Sequence, residues 1–146
     1  MQKSKNAFTM LEVVFVIVII GILSAIAIPK FSVTREDALI AKARADIASI
    51  RSAIVTERQS RLIQGDSSWI SKLSSSTTTL FDGNGSSTLL MYGISAGTGS
   101  GSWSGGADGK DYNFTIGSTT VSFEYNSSNG TFTCDTSGEM CKKLVN

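Results

Sequence analysis

Phe8–Phe31, FTMLEVVFVIVIIGILSAIAIPKF, is the stretch whose reading decides the fold. From Val13 to Pro29 it holds no charge, and nearly every residue is apolar. At about 1.5 Å per residue, a helix over that run covers roughly 26 Å, just short of a hydrocarbon core of about 30 Å. Phe8, Met10 and Leu11 extend it to a full crossing, so residues 8–29 read as a transmembrane helix. One carboxylate, Glu12, falls in its first turn. An ionised acid is costly in lipid, so it calls for a partner or a purpose.

Upstream, Met1–Ala7 (MQKSKNA) is short, polar and basic, the character of the cytoplasmic start of an export signal. Downstream, the helical pattern does not stop. Val33, Ile40, Ala43, Ile47, Ile50 and Ile54 are spaced by seven, three, four, three and four, which sets them on one stripe. Arg35, Lys42, Arg44, Asp46, Arg51 and Arg58 occupy the opposite face. Gly65-Asp66 is a stop signal, so residues 30–65 read as an amphipathic stalk helix continuous with the apolar one. Pro29 lies inside that continuous pattern. It lacks an N–H and clashes with the preceding turn, so a kink is expected there.

Composition changes after Asp66 to Ser, Thr and Gly. Ser67–Leu73 is expected as a short helix with Trp69, Ile70 and Leu73 facing in, and Thr88–Ile94 as a first strand. Ser95–Gly109, SAGTGSGSWSGGADG, reads as a long loop. Three alternating runs follow, carried by Tyr112, Phe114 and Ile116, by Val121, Phe123 and Tyr125, and by Phe132 and Cys134. Ser-Ser-Asn-Gly at 127–130 suits a tight hairpin. Residues 66–146 therefore read as a β head. A sheet of three or four strands is marginal alone, and the long helix supplies its second layer. The fold class is α+β.

The chain has 146 residues, no histidine, two cysteines and a net charge of +1. Basic residues lead between Lys30 and Arg61 and acidic ones from Asp66 onward. Neither half is a block of like charge of the kind that argues for nucleic acid. Without histidine, a zinc site lacks ligands, and no serine has an evident general base beside it. Catalysis, cofactors and a resident metal are therefore not expected. Asp108 and Asp111 flank a Gly-rich turn, but two carboxylates are few for a calcium site. Cys134 and Cys141 read as a disulfide in an oxidising compartment, against the alternative of two free thiols in a reducing one. Asn84, Asn113 and Asn126 each open an Asn-x-Ser/Thr sequon with an acid two residues earlier (Asp82, Asp111, Glu124). Asn84 and Asn126 are the candidate glycosylation sites, since Asn113 falls in an expected strand.

Ala7-Phe8-Thr9-Met10-Leu11-Glu12-Val13 followed by the apolar run resembles the start of a type IV pilin or a type II secretion pseudopilin. That class-III signal is a short basic leader, a small residue, Phe-Thr-Leu-x-Glu and a membrane helix. Ala7 departs from the family's usual Gly. The resemblance covers about the first thirty residues, and beyond them only the layout agrees. It implies cleavage by a prepilin peptidase between Ala7 and Phe8, N-methylation of Phe8, and a C-terminal disulfide loop pinning the last strand. It implies further a filament of the chain's own copies with minor pilins or pseudopilins, built on an inner-membrane assembly platform, with membrane lipid as the earlier surrounding. Glu12 would then pair with the new amine of a neighbouring Phe8 and select one stagger between helices. The expected location is the bacterial inner membrane, single-pass with the head in the periplasm, and afterwards a filament. Lys30, Arg35, Lys42 and Arg44 beyond the far end would by count alone lie inside. The leader, the cysteines and the motif agree on the opposite orientation, and that one is adopted. The system served is secretion, DNA uptake or a surface pilus. The competing reading is a monomeric binding protein, either tethered by an uncleaved anchor or secreted after a cut at Ala25-Ile26-Ala27, which has the small-x-small pattern of an ordinary signal peptide.

Overall fold

The structure, a computed structural model, describes residues 8–106 and 108–145. In chain order the elements are helix α1 (Met10–Ile63), strands β1 (Thr79–Leu80), β2 (Ile94–Ser95), β3 (Trp103–Gly105), β4 (Asp111–Ile116), β5 (Thr119–Asn126) and β6 (Thr131–Cys134), and helix α2 (Glu139–Val145). The chain divides into two compact units, residues 1–35 and 36–146, and the boundary falls inside α1. Helical structure is assigned across position 29 without interruption. The kink expected at Pro29 depends on that proline's ring, which lies outside the described residues.

In the second unit, β3, β4, β5 and β6 form an antiparallel sheet in that order, and β1 pairs with β2 separately. Register follows the alternation read from sequence. Tyr112 faces Phe123, Phe114 faces Val121, and Tyr125 faces Phe132. These side chains enter the core, while Asp111, Asn113, Ser122 and Glu124 line the outer face. From α1 the core receives Ala43, Ile47, Ile50 and Ile54, none more than 2% exposed. Phe81 stacks on Tyr112 at 4.4 Å and meets Trp103 edge-on at 5.4 Å, so aromatic packing joins the loops to the sheet. The α+β layout with a long N-terminal helix stands as expected from the sequence, and so do the three alternating strands.

Three expectations are corrected. Ser67–Leu73 is not helical. Ile70 and Leu73 are fully buried as expected, but their backbone groups are used elsewhere. Tyr125 donates its hydroxyl to the Ile70 carbonyl at 2.9 Å, and the Leu73 N–H donates to Gly109 at 2.8 Å. Thr88–Ile94 is mostly irregular, with only Ile94 in a strand. Leu89 is buried while Met91 and Tyr92 are both exposed, so the run lacks the alternation that a half-buried strand requires. Phe81, whose carbonyl accepts the Leu90 N–H at 3.0 Å, sits at φ 60°, outside the extended range of a strand. Ser95–Gly109 is not simply a loop, since β2 ends in it and β3 lies within it. There Trp103 is fully buried and donates its indole N–H to Asp46 at 2.9 Å, which offsets the weak strand propensity of the surrounding Ser and Gly.

Candidate assembly and processing segment

The N-terminal unit presents apolar side chains on every side. Met10–Ile28 has a mean hydropathy of 3.0, and none of it is buried. Phe8 is 81% exposed, Phe15 66% and Ile28 69%. Each large apolar side chain moved out of water is worth about 1.5–3 kcal/mol, and a domain's whole stability is only about 5–15 kcal/mol. Such a helix is therefore not a stable water-exposed element and needs lipid or other protein around it. Gly21, Ser24, Ala25 and Ala27 provide small positions where another helix backbone can approach closely.

The start of this helix is defined by local hydrogen bonds. Phe8 and Thr9 lie outside α1, and Met10 is its first residue. The Glu12 N–H donates to Thr9 Oγ1 at 3.2 Å, and the Thr9 carbonyl accepts from Glu12 at 3.1 Å and Val13 at 3.2 Å. Thr9 is thus the N-cap and Glu12 the third helical residue, the spacing of a capping box. Phe8 and Val13, the positions of a hydrophobic staple, border the same shallow hollow. A carboxylate at Glu12 also complements the positive end of the helix dipole. Among the described residues no basic side chain pairs with it. Ala7 lies outside the described residues, so the expected cleavage point is described on its Phe8 side only.

At the far end of the chain Cys134 and Cys141 are joined, with their Cα atoms 6.0 Å apart. The bond ties β6 to α2, whose Cys141 and Leu144 are buried. Within the ring, Asp135 accepts from the Ser137 N–H at 2.9 Å and from its hydroxyl at 2.8 Å, which lowers the carboxyl below its usual range. The two candidate sequons differ in setting. Asn84 is half-buried, its Oδ1 accepts from Ser86 and Ser87, and Asp82 before it is held by Ser75. Asn126 is exposed at the end of β5, and its Oδ1 accepts from Ser128 at 2.9 Å. Asp108 accepts from the N–H groups of Lys110 and Asp111, which lowers its pKa and accounts for it by turn chemistry.

Sequence reading missed one buried polar set. Glu57 follows Ile54 by three residues on the same stripe, so its position alone marks it as inward-facing. It is 7% exposed and pairs with Arg61 at 2.5 Å. Arg61 also reaches Asp66 at 3.3 Å and Ser87 at 3.1 Å, joining the end of α1 to the following segment. The hydrogen bond that Arg61 donates to Glu57 raises its already high pKa. Glu57 Oε2 is buried without a hydrogen-bond partner among the described residues. Burial also raises Tyr125 to about 12, and raises Tyr112 as well.

Residues 2–28 match the prokaryotic N-terminal methylation motif. These residues correspond to the class-III prepilin signal found at the start of type IV pilins and pseudopilins. A motif of this type points to a structural protein. No curated protein and no solved structure matches the chain.

Proposed function

We propose that the chain is a structural subunit, not an enzyme, of a type IV pilus-like filament assembled from the inner membrane for type II secretion or DNA uptake. One observation carries this reading. A membrane-length helix exposes apolar side chains all round and places a single carboxylate, Glu12, in its first turn. A prepilin peptidase would cut between Ala7 and Phe8 and methylate the new amine. Stored in lipid, the helix would later exchange lipid for the helices of other copies and of minor subunits, on an inner-membrane platform. Pro29 is the point at which it would bend during that transfer. The head would face the periplasm, where Cys134–Cys141 persists.

Glu12 is the assembly residue in this reading, because its carboxylate would meet the Phe8 amine of an adjacent copy and fix the stagger. Glutamine serves a capping box as well as glutamate does. Glu12→Gln therefore removes the charge and keeps the helix start. The expected result is a chain that is cleaved and membrane-bound but absent from filaments. Filaments in normal yield would refute the pairing. Mass spectrometry of the mature N-terminus separates the alternatives, with N-methyl-Phe8 for the filament subunit, Met1 for a plain anchor and Ile28 for a secreted protein.

A further inference from the structure

We propose that Asn126 is an N-glycosylation acceptor, modified by a membrane-embedded transferase that takes its oligosaccharide from a polyprenyl diphosphate carrier. The inference rests on a head facing the periplasm, as proposed above, where a lipid-borne donor shares the membrane that anchors the chain. In the reaction the Asn126 carboxamide nitrogen bonds to the anomeric carbon of the first sugar. The bond from that carbon to the diphosphate oxygen breaks, Nδ2 gives up one proton, and the polyprenyl diphosphate leaves.

Sequons begin at Asn84, Asn113 and Asn126, each with an acid two residues earlier, and their settings differ. Asn84 is half-buried, its Oδ1 accepts from the N–H groups of Ser86 and Ser87, and its Nδ2 donates to Ser71. Asn113 lies in β4, flanked by β3 and β5, and accepts the Ser122 hydroxyl at 2.7 Å. Of the three, only Asn126 is both exposed and at a strand end, next to the turn at 127–130. Its Oδ1 accepts the Ser128 N–H at 2.9 Å, which leaves the nucleophilic Nδ2 without a hydrogen-bond partner among the described residues. Glu124 and Asn126 emerge on one face of β5, about 7 Å apart along the strand, so one enzyme groove can read both. Sheet stability does not explain Glu124. It stands directly across from Asp111, a like-charge pair that weakens a sheet, and no basic side chain among the described residues pairs with it. A carboxylate so placed offers a basic pocket of the transferase a charge-assisted hydrogen bond.

The test expresses the chain in full in the bacterium that makes it, recovers it from the membranes and sequences its glycopeptides by mass spectrometry. Wild type is expected to carry a sugar mass on Asn126, with Asn84 and Asn113 bare. Asn126→Gln and Ser128→Ala should abolish it. Ser128→Ala retains the N–H that holds Asn126 Oδ1, so its loss of glycan would not reflect a broken turn. Ser128→Thr should be glycosylated like wild type. Glu124→Gln should lower occupancy in a short labelling pulse about tenfold, the factor of one charge-assisted hydrogen bond. A bare Asn126, or sugar on Asn84 or Asn113 instead, would overturn the proposal, and an unaltered pulse in Glu124→Gln would remove Glu124 from it. The same spectra read the N-terminus. Bare Asn126 on a chain that starts with N-methyl-Phe8 defeats the glycan alone, whereas a chain that starts with Met1 defeats the filament reading.

Discussion

The two halves of α1 are both helical and both rich in Ile, yet they solve opposite problems. Between Met10 and Ile28 the apolar residues surround the helix, and Ile20 is 55% exposed. Between Leu39 and Glu57 they form one stripe, and Ile50 is fully buried. The second half meets its partner within the chain, in Trp103, Phe132 and the rest of the aromatic core. The first half has none among the described residues, so its surroundings must come from outside the chain. What differs is not helix propensity but how the apolar positions are distributed around the axis.

The largest expected effect tests that contrast directly. Ile50→Ala should destabilise the head by about 3 kcal/mol, within the usual range for an aliphatic residue cut to alanine in a core. Ile20→Ala should leave the head's denaturation midpoint unchanged within about 0.5 kcal/mol. Comparable losses from the two variants, measured by denaturant unfolding in detergent, would break the distinction between the halves.

A smaller effect tests where the buried stripe ends. Arg61→Met leaves Glu57 buried and unpaired and should cost about 2 kcal/mol, below the roughly 3–5 kcal/mol of a wholly enclosed pair because Arg61 is partly solvated. Replacing both residues by methionine should recover most of that loss. If the double variant is no better than the single, the pair acts through Arg61's links to Asp66 and Ser87 and not as a buried charge pair.

The smallest effect concerns pH. Burial holds Tyr125 protonated up to about 12, above its ordinary 10.0, and Tyr112 shifts the same way. Between those values the unfolded chain releases protons that the folded head retains, so stability is intact below about pH 10 and falls as pH rises toward 12. Tyr125→Phe should flatten that decline in a pH series of melting temperatures. Asp66, Asp108 and Asp135 shift in the opposite direction, so their contribution is present near neutrality and fades in acid.

Legibility differed along the chain for physical reasons. The hydrophobic run, the stripe from Ile40 to Ile54 and the alternation of Tyr112–Ile116 are periodic, and periodic patterns can be read without knowing what lies opposite. Trp103 sits among serines and glycines, where only its size hints at burial and only the sheet supplies its neighbours. Ile70 and Leu73 were readable as buried but not as non-helical, because the partners of their backbone groups lie far away in sequence, at Tyr125 and Gly109. The short α2 packs Leu144 against the core, and its 7 residues are too few for a helical period to register. For the candidate segment, Thr9 and Glu12 were legible as letters of a motif. That the threonine hydroxyl caps the helix at the glutamate became visible only as a hydrogen bond.

The sequence by itself determined a membrane-length apolar helix with one acid at its start, an amphipathic continuation and an alternating β head, since each depends on local periodicity and charge. Tertiary structure alone decided that Ser67–Leu73 runs irregularly, that a strand emerges from the Ser/Gly-rich segment around Trp103, and that Arg61 beside Glu57 reaches Asp66 and Ser87. Those outcomes depend on which distant donor, acceptor or ring completes a buried group, and no local pattern records that.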